Sequence, residues 1–242
     1  MPQIKLSARL NAIARLVPPV GAVADVGTDH GYIPVWLTQN GHSGALFATD
    51  IKKEPLLHAK RTAEKQGFSE RIEFRLCDGL AALKDDGIKT AIIAGMGGEN
   101  IAEIISAAPW VKLSGCLLIL QPMTKSAHLR AWLSDNGYKV LSEQLVEDGG
   151  IYEILTARAG KDESYSPAER LVGHANLISV SPLFERRLQD ITVKTERAAS
   201  GLSASSRGGD AERLNHTLEL LASLKELKNG LNSPENKGGQ NA

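Results

Sequence analysis

The first 160 residues alternate between two hydrophobic spacings. Leu6, Leu10 and Ile13 recur at helical spacing, which predicts an amphipathic helix over residues 5–17 that ends at Pro18-Pro19. Short apolar runs predict five buried strands, at Ala22–Val26, Gly44–Thr49, Ile72–Leu76, Thr90–Ala94 and Gly115–Leu120. Helical patterns lie between or after them, at Tyr32–Gln39, Lys53–Gln66, Asn100–Ala107 and Ser126–Asn136.

Two more strands are predicted to close this region. Lys139–Val146 and Ile151–Arg158 flank the segment 147–150, Glu-Asp-Gly-Gly, which is rich in turn residues. Alternating strands and helices predict a parallel sheet covered on both faces, and the hairpin makes one edge antiparallel. We therefore predict an α/β fold with a Rossmann-like class I methyltransferase sheet. A dinucleotide-binding dehydrogenase would have six parallel strands instead.

Beyond residue 160 the pattern becomes purely helical. The apolar positions from Leu183 to Ala198 fit one helix, Gly201–Asp210 fits a turn, and Leu214–Leu231 fits a second helix with near-heptad spacing. We expect these two helices to pack as an antiparallel coiled hairpin. The predicted organisation is thus a sheet domain over residues 1–160, a helical hairpin over 161–231 and a disordered tail over 232–242.

The charge of the chain is balanced, with 28 basic and 28 acidic residues. The balance also holds on each side of residue 160, with 17 of each sign before it and 11 of each after it. Nucleic-acid-binding proteins often have a basic excess, so this neutrality counts against an RNA or DNA substrate. A local basic patch is compatible with overall neutrality.

Composition also bears on cellular location and on metals. The longest apolar run, Cys116–Leu120, is too short to cross a bilayer, and basic residues interrupt the first helix in a way that no signal peptide shows. Cys77 and Cys116 lie in or beside predicted strands, as expected of reduced cysteines in a cytoplasmic protein. No cysteine or histidine cluster has metal-ligand spacing. We expect no membrane span and no metal, and the oligomeric state stays open with a monomer slightly favoured.

Three predicted strands end in acidic residues. Asp25 and Gly27 end the first, Asp50 follows the second and Asp78 follows the third. Each alone is equally typical of a turn or a helix cap. Together they suit an adenosyl ligand, because carboxylates accept hydrogen bonds from ribose hydroxyls and adenine amines. We expect S-adenosylmethionine (AdoMet) to contact Asp25, Gly27, Thr28, Gly31, Asp50, Ile51, Asp78, Gly79 and Gly95.

Several short strings occur around these positions. They are Ser7-Ala-Arg-Leu10, Asp25-Val-Gly-Thr-Asp-His-Gly-Tyr-Ile-Pro34, Cys77-Asp-Gly-Leu80, Ile93-Ala-Gly-Met-Gly-Gly98, Leu120-Gln-Pro122, Arg130-Ala-Trp-Leu133 and Tyr152-Glu-Ile154. Together they resemble the bacterial tRNA (adenine-22)-N(1)-methyltransferases, over about residues 6–230. The resemblance implies AdoMet-dependent methylation of ring nitrogen N(1) of an adenine, position 22 in the D-arm region, with tRNA as the partner.

The loop after the first strand departs from the common methyltransferase pattern. Asp29 replaces the middle one of three alternate glycines. A cap of the following helix or a cofactor contact is favoured over acid–base catalysis for Asp29. Asp29 is nevertheless our first candidate for stabilising or deprotonating a methylated base. His30 is the second, although a hydrogen-bonded structural role is common for such a histidine.

The segment Gly95-Met-Gly-Gly98 is predicted to form the loop after the fourth strand. Methyltransferases acting on exocyclic adenine amines carry Asn-Pro-Pro-aromatic there, and its absence fits a ring-nitrogen acceptor. Glycines let a flat base approach the backbone, but the segment also suits a plain turn. Met96 and Tyr32 are equally compatible with the core. Substrate contacts are expected at Arg9, Tyr32, Met96, Gly97, Gly98 and Pro122.

The helical hairpin is the candidate surface for gripping tRNA. Residues 186–213 hold six basic and four acidic residues, a net charge of +2, and Arg186, Arg187 and Arg197 are the expected contacts. A solvated helix face or a dimerising coiled coil explains the same pattern. Two other functions remain open at this point. They are an AdoMet methyltransferase for a small molecule and a nucleotide-binding interaction module without turnover.

Overall fold

The structure is a computed structural model that describes residues 3–162, 165–174, 181–204 and 209–231. The chain divides into two compact units, Met1–Glu163 and Ser164–Ala242. The predicted sheet domain ends within three residues of this division. The predicted tail at 232–242 lies outside the described residues.

A seven-stranded sheet forms the centre of the first unit. Its strands are β1 (Ala22–Val26), β2 (Leu46–Asp50), β3 (Ile72–Leu76), β4 (Ile88–Gly97), β5 (Leu117–Thr124), β6 (Tyr138–Glu147) and β7 (Ile151–Ala159). They lie in the order β3-β2-β1-β4-β5-β7-β6. The first five strands are parallel, whereas β7 pairs antiparallel with both β5 and β6. The predicted Rossmann-like methyltransferase sheet with an antiparallel closing hairpin is confirmed.

In the described part of this unit, six α-helices accompany the sheet. They are α1 (Ala8–Arg15), α2 (Tyr32–Gln39), α3 (Lys53–Lys65), α4 (Gly98–Ser106), α5 (Trp110–Leu113) and α6 (Ser126–Asp135). The first is shorter than predicted because Ser7 caps it: the Ser7 hydroxyl accepts from the Leu10 amide at 3.4 Å. The central strands β1, β4 and β5 are buried, with Ala24, Ile92 and Ile119 at zero exposure. These strands therefore hold their carboxyl ends in fixed positions.

A buried ion cluster joins α6 to the closing hairpin. The Arg130 guanidinium is fully buried and donates to Glu143 at 3.0 Å and to Glu153 at 2.9 Å. Burial alone would lower the pKa of Arg130, but the two carboxylates raise it above its ordinary value. The guanidinium therefore stays charged and ties α6 to β6 and β7.

The second unit contains helices α7 (Pro167–Val172), α8 (Phe184–Ser203) and α9 (Asp210–Leu231). Two contacts show that the last two run antiparallel. Lys228 near the end of α9 donates to Gln189 near the start of α8 at 2.8 Å, and the earlier Lys225 pairs with the later Glu196 at 3.2 Å. The predicted helical hairpin is thus present. The prediction that its turn begins at Gly201 is wrong, because α8 continues to Ser203. Gly201 lies exposed within the helix, and a Cβ atom there would meet no atom within 4 Å. Positions 205–208 of the predicted turn lie outside the described residues.

Candidate active site

Two cavities adjoin at the carboxyl ends of β1, β2 and β4. The first, about 560 Å³, is walled by α4 and is named here the α4 cavity. The second, about 600 Å³, is walled by Arg9 and Leu10 of α1 and is named the α1 cavity. Gly27, Asp50, Ile51 and Met96 line both. The site is therefore one continuous cleft with Gly27 and Met96 at its waist.

The loop after β1 forms the floor of this cleft. The amides of Gly27 and Thr28 both donate to the Thr49 carbonyl at 2.9 Å, which locks the loop to β2. Gly27 has φ 71°, and a Cβ atom there would collide with the terminal methyl of Met96. Only glycine satisfies both conditions. The Met96 side chain thus covers the Gly27 backbone at the waist of the cleft, and a ligand that passes between the two cavities has to displace this flexible side chain.

Asp25 lies beneath that loop and is nearly completely buried. Its carboxylate accepts a hydrogen bond from the Thr28 hydroxyl at 2.6 Å. Burial raises the pKa of Asp25 from 3.8 to about 6, the Thr28 hydrogen bond lowers it, and the nearby charge of Asp50 raises it further. Asp25 at neutral pH is therefore a desolvated negative charge that a cationic ligand would stabilise.

The α4 cavity presents two further carboxylates. Asp50 ends β2, and one of its oxygens accepts from the Lys52 amide at 2.9 Å, which fixes the side chain and leaves the other oxygen for a ligand. Asp78 lies two residues past β3 and is exposed at the cavity. Ile51 and Ile104 supply apolar walls between them. This combination suits a ribose and a flat heterocycle.

Arg9 is held in the α1 cavity by a polar network. Its guanidinium donates to Gln121 Oε1 at 2.5 Å and lies 5.3 Å from the centre of the Tyr152 ring. Its amide donates to Asp148 at 3.2 Å, and the Ser7 hydroxyl and this amide hold the pKa of Asp148 below its ordinary value. Arg9 is therefore a preorganised cation in the cavity wall.

Gln121 within β5 supports this network and was not predicted. It is fully buried, and its Oε1 also accepts from the Gly95 amide at 3.1 Å. Its Nε2 donates to the Pro122 carbonyl at 2.9 Å. The available signal was a polar residue within an apolar strand, in the string Leu120-Gln-Pro122. Met123, an exposed residue that lines the α1 cavity, was also missed.

Asp29 and His30 lie at the rim of the α1 cavity. Asp29 has φ 51°, a rare conformation for a residue with a side chain, and its side chain is 69% exposed. Its carboxylate lies 3.7 Å from His30 Nε2. The interpretation of Asp29 as a helix cap is wrong, because Gly31 occupies the cap position of α2 and no side chain caps that helix. Asp29 instead faces the cavity.

The segment Gly95–Gly98 is not the predicted loop. β4 continues to Gly97 and α4 begins at Gly98, because Gly95 at φ 77° and shifts in the register with β5 allow the strand to continue past a bend. A Cβ atom on Gly98 would collide with the backbone oxygen of Lys125. Gly98 thus has a packing role where a base contact was expected.

The other predicted site residues occupy varied positions. Gly79 lines the α4 cavity, and Thr28, Tyr32 and Gly95 line the α1 cavity. Absent from both linings are Gly31, Gly97, Gly98 and Pro122. The expected tRNA contacts of the hairpin lie on α8, with Arg186 and Arg197 exposed and Arg187 half-buried.

The described residues lack two other kinds of feature. Within residues 3–162, 165–174, 181–204 and 209–231, no three His, Cys, Asp or Glu side chains come together as a metal ion requires. None of the helices in the same ranges has the length and apolar character of a membrane span.

Comparison with known proteins identifies the family. Residues 6–155 match the model of the methyltransferase domain family. The tRNA (adenine(22)-N(1))-methyltransferase of Bacillus subtilis is 36% identical over 234 residues, covering 94% of this chain and 97% of that protein.

Solved structures agree with this assignment. The crystal structure of the B. subtilis m1A22 tRNA methyltransferase TrmK superposes with a TM-score of 0.83 at 32% identity, over 93% of this chain and 99% of that one. A putative tRNA (m1A22) methyltransferase of Streptococcus pneumoniae, solved in complex with S-adenosyl-L-methionine, gives 0.79 at 31% identity, over 92% and 99%. The chain belongs to the methyltransferase-domain family of the tRNA (adenine(22)-N(1))-methyltransferases.

Proposed function

We propose that this protein transfers the methyl group of AdoMet to N(1) of adenine 22 in tRNA. The proposal rests on the cleft in which the α4 and α1 cavities meet at Gly27 and Met96. One side offers carboxylates for an adenosyl group, and the other, with a volume of about 600 Å³, has room for a nucleobase beside Arg9. The identity to the B. subtilis enzyme, which covers nearly the whole of both chains, supports this substrate. A tRNA substrate supports a cytoplasmic location.

The residues of the cleft fit AdoMet. Asp50 can accept from the ribose hydroxyls and Asp78 from the adenine amine. A ligand that extends toward the α1 cavity displaces the flexible Met96 side chain from Gly27. The buried charge of Asp25 complements the positive charges of the methionine part. AdoMet, when bound, would supply an electrophilic methyl group, whose bond to sulfur breaks as the acceptor nitrogen attacks and S-adenosylhomocysteine leaves.

The α1 cavity suits a ring-nitrogen acceptor. Adenine N(1) has an in-plane lone pair and attacks without prior loss of a proton, so the protein must mainly position the base. Arg9, fixed by Gln121, offers donors to the nucleotide. Methylation makes the base a cation, and the carboxylate of Asp29 at the cavity rim stabilises that charge. Asp29 is therefore the proposed catalytic residue, with His30 beside it.

The experiment is methylation of two tRNA transcripts that differ only at position 22. The protein is incubated with labelled AdoMet and either the adenine-22 transcript or its guanine-22 counterpart, and the products are digested to nucleosides. We expect N(1)-methyladenosine from the first transcript and no label in the second. Label in N(6)-methyladenosine, or equal labelling of both transcripts, would contradict the proposal. Asp50→Ala should abolish labelling through loss of AdoMet binding.

The helical hairpin is proposed to hold the tRNA backbone. Arg186 and Arg197 are exposed on α8, and Arg187 is beside the first. Replacing all three arginines with glutamate should weaken tRNA binding while the dissociation constant for AdoMet stays unchanged, because charge reversal opposes phosphate contacts. Filter binding of tRNA and calorimetry with AdoMet measure the two quantities. Unchanged tRNA affinity would remove the hairpin from the substrate surface.

A further inference from the structure

Three flat side chains cluster at the rim of the α1 cavity. The His30 ring lies 5.3 Å from that of Tyr32 and 5.4 Å from that of His58, with planes within 17° of parallel. His30 and Tyr32 lie two residues apart where α2 begins, and His58 lies in α3, so the ring cluster joins the start of α2 to α3. Tyr32 and His30 line the α1 cavity, and His58 extends the cluster along α3 beyond the cavity lining.

Core packing does not account for the ring cluster. Tyr32 is 41% exposed, the His30 side chain is 45% exposed, and His58 is also exposed. The chain has only four tyrosines and six histidines among its 242 residues, so the placement of one tyrosine and two histidines together in solvent beside the cleft needs another explanation. Gly31 makes the arrangement possible, since a Cβ atom there would lie 2.9 Å from that of Ala59 and would hold α2 and α3 apart.

The charge next to the ring cluster is positive. Residues 52–65, which comprise α3 and the residue before it, contain five basic and two acidic side chains, a net charge of +3 in a chain that is neutral overall. All five basic side chains are exposed, and Lys52 also lines the α1 cavity. Arg61 follows His58 by one helical turn, so it lies on the same side of α3. Two exposed acidic residues, Glu54 and Asp29, partly offset this positive charge near the rings.

Exposed rings beside basic side chains are the features that bind unpaired nucleotides. A base stacks on a flat ring whatever its identity, and basic side chains hold the connecting phosphates. A target base that leaves its helix to enter the α1 cavity also unstacks its neighbours in the strand. We propose that the ring cluster stacks a base adjacent to the target adenine, with Lys52 and Arg61 facing its phosphates. This inference rests on the proposed function and adds a second base-binding site to it.

His58→Ala is the decisive variant, because His58 lies outside both cavity linings. We expect the KM for tRNA to rise about 5- to 140-fold, the range for loss of one base–ring stack, with an unchanged dissociation constant for AdoMet. His58→Phe keeps a flat ring and should restore the KM. Leu57→Ala is the matched control, since it removes an exposed α3 side chain that has no aromatic ring. An unchanged KM in His58→Ala, or no recovery in His58→Phe, would overturn the inference.

A modified substrate separates this inference from the proposed function. Transcripts that lack the base at position 21 or at position 23 remove the stacking partner from one side of the target. With the wild-type protein, one of these two transcripts should have a KM raised as much as His58→Ala raises the KM of the unmodified transcript. On that same transcript, His58→Ala should then show no further rise in KM. Additive losses on both transcripts would refute the stack. Failure of the wild-type protein to methylate the unmodified transcript would instead refute the proposed function.

Discussion

Replacement of Asp25 by asparagine should make the ligand-free protein more stable. The carboxylate is nearly completely buried, and its one described hydrogen-bond donor is the Thr28 hydroxyl. Asparagine keeps an oxygen that can accept this hydrogen bond but removes the desolvated charge. The pKa of Asp25 rises from 3.8 to about 6 on folding. At about 1.4 kcal/mol per pH unit, ionisation of this group costs the folded state about 3 kcal/mol at neutral pH.

The sign of the pH dependence follows from the raised pKa. Above about pH 6 both the folded and unfolded chains carry the charge, so the full penalty applies to the wild-type protein. As the pH falls toward 3.8, the folded chain binds the proton first and the penalty disappears. The stabilisation in Asp25→Asn should therefore be largest at about pH 8 and small at about pH 4.5.

Urea unfolding of the two proteins at both pH values measures this difference. Asp85→Asn is the control, because Asp85 is exposed and its replacement should change the unfolding free energy little. Calorimetry should show weaker AdoMet binding by Asp25→Asn, because the variant lacks the buried carboxylate charge that attracts the cationic ligand. Equal stabilisation at both pH values, or a less stable variant at the higher one, would refute the assignment of a desolvated charge to Asp25.

Two other substitutions probe the packing around the site. Arg130→Met removes the cation that pairs with the buried carboxylates of Glu143 and Glu153, and should lower the unfolding free energy by about 3–5 kcal/mol in urea unfolding. A triple variant in which both glutamates are also changed to glutamine should recover most of this loss. Gly98→Ala should cost about 1–3 kcal/mol because its methyl group meets the backbone just before α6. Gly201→Ala in the exposed part of α8 should instead raise the melting temperature slightly, because alanine favours a helix more than glycine does. Equal effects of the two glycine substitutions would contradict the collision of a Gly98 side chain with the Lys125 backbone.

The strands were predictable wherever an apolar run had clear limits. β1 and β3 agree with the prediction to the residue, because turn or polar residues flank Ala22–Val26 and Ile72–Leu76. β4 was predicted too short, since Gly95 normally signals the end of a strand but here accommodates a bend within it. The helices α5 and α7, at four and six residues, are too short to show a hydrophobic period.

The site was predictable where residues follow strand ends. Asp50 and Asp78 face one cavity because parallel strands end on the same edge of the sheet. The role of Gln121 was not predictable, because it depends on β5 lying beside β4 and on α1 bringing Arg9 to their ends. The position of His58 beside His30 similarly depends on the close approach of α2 and α3. Such contacts depend on tertiary placement, which no local spacing contains.

The neutral sequence and the proposed tRNA substrate are compatible once burial is considered. Among the first 160 residues the buried charged side chains are three acidic, Asp25, Glu143 and Glu153, and one basic, Arg130. Removing them from the 17 of each sign leaves 16 basic and 14 acidic side chains on the surface, an excess of two positive charges. Formal charge counts therefore underestimate the positive surface of a protein whose carboxylates are used in its core. The charge that matters for an RNA strand is the local excess on α3 beside the cleft.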